Sequence, residues 1–177
     1  MKKFYIFLLF WLTFLSSNVF AEDYYWTGAT NSNYNNLNNW RLGSATGGTP
    51  TVIPGTNDNV FFTDIATNYN VNFDAHNVVF NNFTSNSTSN NYVFNMTATA
   101  NALKIITING VLNLNNKAKF TGPSGARNTK GTLVINKTPI IDNNDFDVFL
   151  NFNKSNELIK ISSNFSATSI EVSNGVT

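Results

Sequence analysis

Ile106-Thr107-Ile108-Asn109-Gly110-Val111-Leu112-Asn113-Leu114 is the stretch on which the fold turns. Apolar and polar residues alternate on both sides of an Asn-Gly pair. A period of two places alternate side chains on one face of a β-strand. Asn and Gly are turn formers, so the stretch reads as two short strands meeting at a tight corner. Related phrases recur at Leu133-Val134-Ile135-Asn136-Lys137 and at Ile170-Glu171-Val172-Ser173-Asn174-Gly175.

Working outward, similar runs appear at Val60–Phe62, Tyr69–Phe73, Val78–Phe83, Tyr92–Met96, Leu103–Ile108, Thr132–Ile135, Val148–Phe152, Leu158–Ile161 and Ser169–Val172. Val, Ile, Phe, Tyr and Thr dominate them, as strands prefer. The nearest thing to a helical segment, Thr97 to Lys104, runs into Ile105-Ile106 and favours a turn and strand. The expected fold class is all-β. Short strands, recurring phrases and Asn-rich corners favour a right-handed parallel β-solenoid (β-helix). A β-sandwich with Greek-key links is the alternative. Asn tolerates the left-handed backbone that tight corners need, and stacked Asn side chains can hydrogen-bond from coil to coil. Coils of about 20 to 25 residues would give about five of them.

The N-terminus has a different character. Lys2 and Lys3 precede an apolar run from Phe4 to Leu15, then Ser16, Ser17, Asn18 and Val19-Phe20-Ala21. A basic start, a short apolar core and small residues at −3 and −1 are the marks of a secretory signal peptide. Residues 1–21 are therefore expected to be removed by cleavage after Ala21, leaving a secreted or cell-surface protein. No later apolar stretch in the sequence is long enough to span a bilayer as a helix.

Charged residues make up 12% of the chain and the net charge is +1, so no basic patch supports nucleic-acid binding. There is no Cys, and an exported domain without disulfides favours a bacterial source. Asn is roughly a fifth of the residues, well above ordinary usage.

Residues 22–58 form a separate segment rich in aromatics, Asn, Gly and Pro. They read as an N-terminal cap with short strands, ahead of coils from 59 to 177. The phrase Trp26-Thr27-Gly28-Ala29-Thr30-Asn31-Ser32-Asn33-Tyr34-Asn35-Asn36-Leu37-Asn38-Asn39-Trp40, followed by Ile53-Pro54-Gly55-Thr56-Asn57-Asp58-Asn59-Val60-Phe61-Phe62, resembles the N-terminal unit of large secreted surface proteins of Bacteroidetes. The resemblance implies an adhesin-like, autotransporter-type β-helix. Tyr34 stands where that family usually has Trp. The family's C-terminal sorting domain is missing, which implies coils that are incomplete at the C-terminus. Trp26 and Trp40 would cover the open end of the coils; alternatively, they would stack on sugar rings. Asp58 would fix the turn before Val60.

Residues that could carry chemistry are few. Asp142, Asp145 and Asp147 form the one acidic cluster. A solvated turn is the favoured reading. Weaker readings are a Ca²⁺ site with Asn143 and Asn144 and a pair of hydrolytic carboxylates. The run lacks the glycine and distant glutamate of an EF-hand. His76 is the single histidine and reads as a turn residue, without partners for a zinc site. Gly122-Pro123-Ser124-Gly125-Ala126-Arg127 fits neither a P-loop nor a dinucleotide fingerprint. No cofactor is expected. The expected function is that of a non-enzymatic, adhesin-like exported surface segment, with a carbohydrate-binding module as the alternative. The expected partners are surface glycans or proteins. Self-association through the C-terminal edge is also expected, because Ser169–Val172 is still a strand pattern with little charge to guard it.

Overall fold

The computed structural model describes residues 20–73, 77–96, 105–122, 131–137, 139–142, 144–153 and 166–173. Among the described residues strands account for nearly all of the regular structure, with a single 3₁₀ turn at Leu37–Asn39. The all-β expectation holds, and the strands pair almost wholly in parallel.

Three parallel ladders organise them. The first joins β1 (Asp23–Trp26), β3 (Asn59–Phe62), β6 (Phe83–Ser85), β9 (Leu112–Leu114) and β12 (Ile140–Ile141). The second joins β4 (Asn70–Asn72), β7 (Tyr92–Asn95), β10 (Ala118–Thr121) and the start of β13 (Asp145–Asn153). The third joins β5 (Val78–Phe80), β8 (Ile105–Ile108), β11 (Thr132–Ile135) and the later part of β13. The chain visits the ladders in the same order on each pass: β3, β4, β5; then β6, β7, β8; then β9, β10, β11. β14 (Ser166–Ser173) pairs along β13, whose register shifts between Phe146 and Phe149. Where earlier passes break into two strands, this one runs through as a single irregular strand. One pairing among the named strands is antiparallel, that of β1 with β2 (Trp40–Leu42). A Greek-key sandwich is built from antiparallel pairs, so this pattern departs from that alternative.

The alternation read in the sequence decides what is inside. Ile106, Ile108, Leu112 and Leu114 are buried, as are Leu133 and Ile135. Register partners then stack like on like. Phe94, Phe120 and Phe146 follow one another on the second ladder, with ring centroids 4.9 and 5.6 Å apart. This spacing follows from parallel strands lying about 4.8 Å apart.

The Asn side chains of the corners hydrogen-bond from rung to rung, as expected. Asn95 donates to the Asn72 side-chain oxygen at 2.7 Å, and Asn72 donates to Ser32 Oγ at 2.8 Å. Asn82 and Asn81 both donate to Asn59 Oδ1, and Asn59 donates to Asp23. Asn136 donates to Asn109 at 2.9 Å. These partners lie from 22 to 40 residues apart in sequence but one rung apart in space. At the corner after β8, Gly110 donates to the Asn81 carbonyl at 2.6 Å. A Cβ on Gly110 would lie 2.6 Å from that same oxygen, so this approach requires glycine.

Three boundaries differ from expectation. Val78–Phe83 is two strands, β5 and β6, separated by a corner at Asn81-Asn82. β10 shows only two apolar residues, Ala118 and Phe120, too weak a run to read as a strand. β12, at two residues, is shorter than any period can reveal. The expected run Leu158–Ile161 lies outside the described residues, as does Thr97–Lys104.

Ser85 occupies an inward position between Phe62 and Leu114, and its hydroxyl has no hydrogen-bond partner. A buried unsatisfied hydroxyl costs about 1–3 kcal/mol. Ser85→Ala is therefore expected to leave stability unchanged or raise it, read as the denaturant midpoint. A drop of more than about 1 kcal/mol would mean the hydroxyl has a partner.

Candidate functional site

The region with the densest side-chain organisation is the N-terminal segment, residues 22–73. Its aromatic alternation puts Tyr24 and Trp26 on the inner face of β1, while Tyr25 faces outward and stacks on Phe61 at 4.8 Å. Trp40, at the start of β2, lies edge-on to Tyr24, Trp26, Tyr34 and Phe62, with ring centroids 5.1 to 6.3 Å apart. Both indoles are 0% exposed. Each indole N–H has a carbonyl to donate to: Trp26 to Asn68 at 2.8 Å and Trp40 to Tyr34 at 2.9 Å. A sugar ring needs an accessible indole face, and neither Trp26 nor Trp40 offers one. The sugar-stacking expectation for these two residues is corrected on that ground; the covering role fits their burial.

The motif's polar residues hold this plug in place. Gly28 has φ +57°, and a Cβ there would come within 2.7 Å of the Asn68 carbonyl oxygen. The Thr27 and Gly28 amides both donate to the Asn39 carbonyl, and Thr67 donates to the Thr27 carbonyl. Asn39 itself is fully buried. Its side-chain oxygen accepts from the Thr30 and Asn31 amides, and its NH₂ donates to Asn31 Oδ1 and to the Asn33 carbonyl. Tyr34 donates its hydroxyl to the Pro54 carbonyl at 2.5 Å. Burial first, then the Asp58 charge, pushes that phenol above the usual tyrosine range. Asp58 accepts from the Gly55 amide at 2.8 Å and from the Glu22 amide at 3.1 Å. The expected turn-fixing role of Asp58 is thus seen in its hydrogen bonds.

The edge that this segment presents is also closed. β2 runs against β1, and the Leu42 amide donates to Gly48 in the following loop rather than standing open.

A second polar focus lies at Asp64. It accepts from Ser87 Oγ, Thr88 N, Thr88 Oγ1 and Ser89 N, at 2.5 to 3.1 Å. The Ser87 bond above all, then those from Thr88, hold this exposed carboxyl well below its usual range. Its contribution to stability is full above the unfolded carboxylate range and is lost as pH falls below about 4. Asp64→Asn is expected to flatten that part of the acid unfolding profile. An unchanged acid limb would show that the loop does not depend on the charge.

The acidic cluster divides. Asp142 sits exposed at a bend. Asn144 is buried, accepts from the Asp142 amide and donates to the Asn115 and Ala118 carbonyls. Its amide is committed to the chain and is not free for a cation. Asp145 and Asp147 belong to β13, in register with Lys119 and Thr121, so the solvated-turn reading is corrected for them. Asn143 lies outside the described residues. Among the described residues no group of three His, Asp or Glu side chains is placed to hold a metal. His76 and residues 123–127 also lie outside them. No helix among the described residues is long and apolar enough to cross a membrane.

Asn39 and Asn68 were not legible as key residues. In a chain so rich in Asn, neither differs from its neighbours by type. The one available signal for Asn39 was its place directly before Trp40.

Comparison with protein-family models, with curated proteins and with solved structures finds no match to this chain.

Proposed function

We propose that this chain is an exported, non-enzymatic, adhesin-like surface segment, built as a right-handed parallel β-solenoid whose first end is sealed by residues 22–58. The observation that carries this reading is the repeated three-ladder circuit, closed at its start by an antiparallel strand and an aromatic plug. Parallel strands joined by crossovers in one sheet are right-handed in about 98% of cases, which supports the hand. An N-terminal seal suits a solenoid, whose open end would otherwise expose strand edge and core. The polar groups around the motif are engaged in holding the chain to itself, which fits a structural role. The resemblance of residues 24–64 to the Bacteroidetes surface proteins supports the adhesin-like placing.

The test combines location with chemistry. Surface proteolysis and N-terminal sequencing in the source organism are expected to find the protein outside the cytoplasm and beginning at Glu22. A panel of plant and algal polysaccharides is expected to remain unhydrolysed by the purified mature chain. A cytoplasmic protein with its first residues intact would overturn export, and turnover abolished by Asp145→Asn or Asp147→Asn would overturn the non-enzymatic reading. For the architecture, excising residues 83–111 brings Leu112 to the register position of Phe83. A solenoid is expected to stay folded with one circuit fewer, whereas a closed sandwich would not.

A further inference from the structure

We infer that Asp58 is a built-in receptor for the α-ammonium group that leader removal creates at Glu22. The inference rests on the proposed cleavage after Ala21. It goes beyond it by assigning the new N-terminus a partner and a structural task.

The geometry centres on one residue. Phe20 is 75% exposed, and Ala21 and Glu22 are exposed too, but Glu22 is held to the fold by hydrogen bonds. Every polar group of Glu22 is engaged. Its main-chain nitrogen donates to Asp58 Oδ1 at 3.1 Å, its carbonyl accepts from the Asn59 amide at 2.8 Å, and its carboxylate accepts from the Tyr24 hydroxyl at 3.1 Å. In the precursor that nitrogen is a neutral amide with one proton. Hydrolysis of the Ala21–Glu22 bond adds water across it. Ala21 leaves as a carboxylate, and the Glu22 nitrogen becomes an ammonium with three protons. The contact, already charge-assisted through the Asp58 carboxylate, then becomes an ion pair with charge on both partners.

The surroundings favour a positive charge. Asp58 faces the nitrogen, Glu22 carries its own carboxylate, and Asp23 lies next in the chain, accepting from Asn59 Nδ2 at 2.8 Å. The Tyr24 hydroxyl stands beside Glu22, and its proton is held more tightly than usual, chiefly by burial and then by Glu22 and Asp58. Asp58 also binds the Gly55 amide at 2.8 Å, so its carboxylate is oriented before the ammonium arrives. Processing therefore tightens the seal: the leader-bearing chain closes its first ladder with an amide donating to the Asp58 carboxylate, and the mature chain closes it with an ion pair at the same place.

The linkage has a definite sign. An α-ammonium paired with Asp58 has a folded pKa above its unfolded value of about 7.7–8.0. The added stability is full below that value and is lost as pH rises through the folded pKa.

The test uses the chain beginning at Glu22 and the chain beginning at Phe20, each with Asp58 or with Asp58→Asn. Thermal midpoints are measured from pH 6 to pH 10. The Glu22 chain is expected to be the more stable by about 2–4 °C near pH 7. That advantage should disappear toward pH 10, and it should be absent when Asp58 is Asn. Isotope-labelled dimethylation of the Glu22 nitrogen, followed by NMR titration, is expected to give a pKa above about 8.0. Parallel pH profiles for the two chains, or a pKa at or below about 8.0, would overturn the inference. If Asp58→Asn does not fold, the comparison of the two unaltered chains and the titration still decide it. N-terminal sequencing of exported protein is a separate matter: a start other than Glu22 would sink the cleavage reading without touching these measurements.

Discussion

Trp40→Ala is expected to cost about 3–5 kcal/mol of stability, and Trp26→Ala a similar amount. Trp40 is the larger risk because four other rings, Tyr24, Trp26, Tyr34 and Phe62, lie edge-on to it. Removing it opens a cavity between β1, β2 and β3 that stiff aromatic neighbours cannot collapse into. It also leaves the Tyr34 carbonyl without its donor. Trp26→Ala removes the donor to the Asn68 carbonyl and the contact with Trp40. Trp40→Phe keeps much of the area and loses the N–H, so its cost should fall between wild type and Ala. Urea unfolding gives the measurement, with the midpoint reporting stability and the slope reporting the surface exposed. Repeat architectures can lose a terminal unit before the rest. A reduced slope in Trp40→Ala would therefore indicate that residues 22–58 melt first. A midpoint shift under about 1 kcal/mol, together with lost glycan binding, would reinstate the stacking role that the buried rings argue against.

The strand series was legible because burial in this fold alternates residue by residue. Ile106 and Ile108 point inward and Thr107 does not, so a period of two is written directly into the sequence. The corner chemistry was legible for the same reason: Asn and Gly mark where the chain turns, and Asn95 on Asn72 and Asn136 on Asn109 pair as side chains of one type can. What failed were strands too short for a period, such as β12, and a strand whose inward positions hold Ala118 and Phe120 only. Asp145 and Asp147 misled because acidic residues next to Asn usually mark turns. Here Phe146, one register step from Phe120, draws the whole run into the second ladder. The N-terminal motif was legible as a motif but not as a mechanism. Trp26, Trp40 and Asp58 stood out by residue type, whereas Asn39 and Asn68 act through positions that only the folded chain brings together.

Asn39→Asp is expected to be among the most damaging single-atom changes in the molecule, and its damage should depend on pH. Asn39 is fully buried and uses both ends of its amide. The oxygen end accepts from Thr30 N at 2.9 Å and Asn31 N at 3.2 Å. The nitrogen end donates to Asn31 Oδ1 and the Asn33 carbonyl, both at 2.8 Å. Aspartate keeps the first pair and turns the second into oxygen facing oxygen. When ionised, it also places a charge in the interior beside two acceptors. Breaking a buried charged or hydrogen-bonded network in this way costs about 3–5 kcal/mol. Protonation relieves part of it, because a carboxylic acid O–H can donate to one of the two acceptors. The folded state therefore binds that proton more tightly than the unfolded chain does, and the folded pKa lies above the usual aspartate value of about 3.9. By linkage, the penalty is smallest below the unfolded pKa and grows as pH rises toward the folded pKa. The variant should thus be closer to wild type at pH 4 than at pH 7, the reverse of the behaviour expected from Asp64. Asn39→Ala removes both ends without adding charge, so its cost should be flat across the same range. Denaturant midpoints of the three proteins at pH 4 and pH 7 check this. Equal penalties for Asp and Ala at both values would mean that the loop from Thr30 to Asn33 rearranges to avoid residue 39, and that the hub assigned to Asn39 is held by its backbone alone.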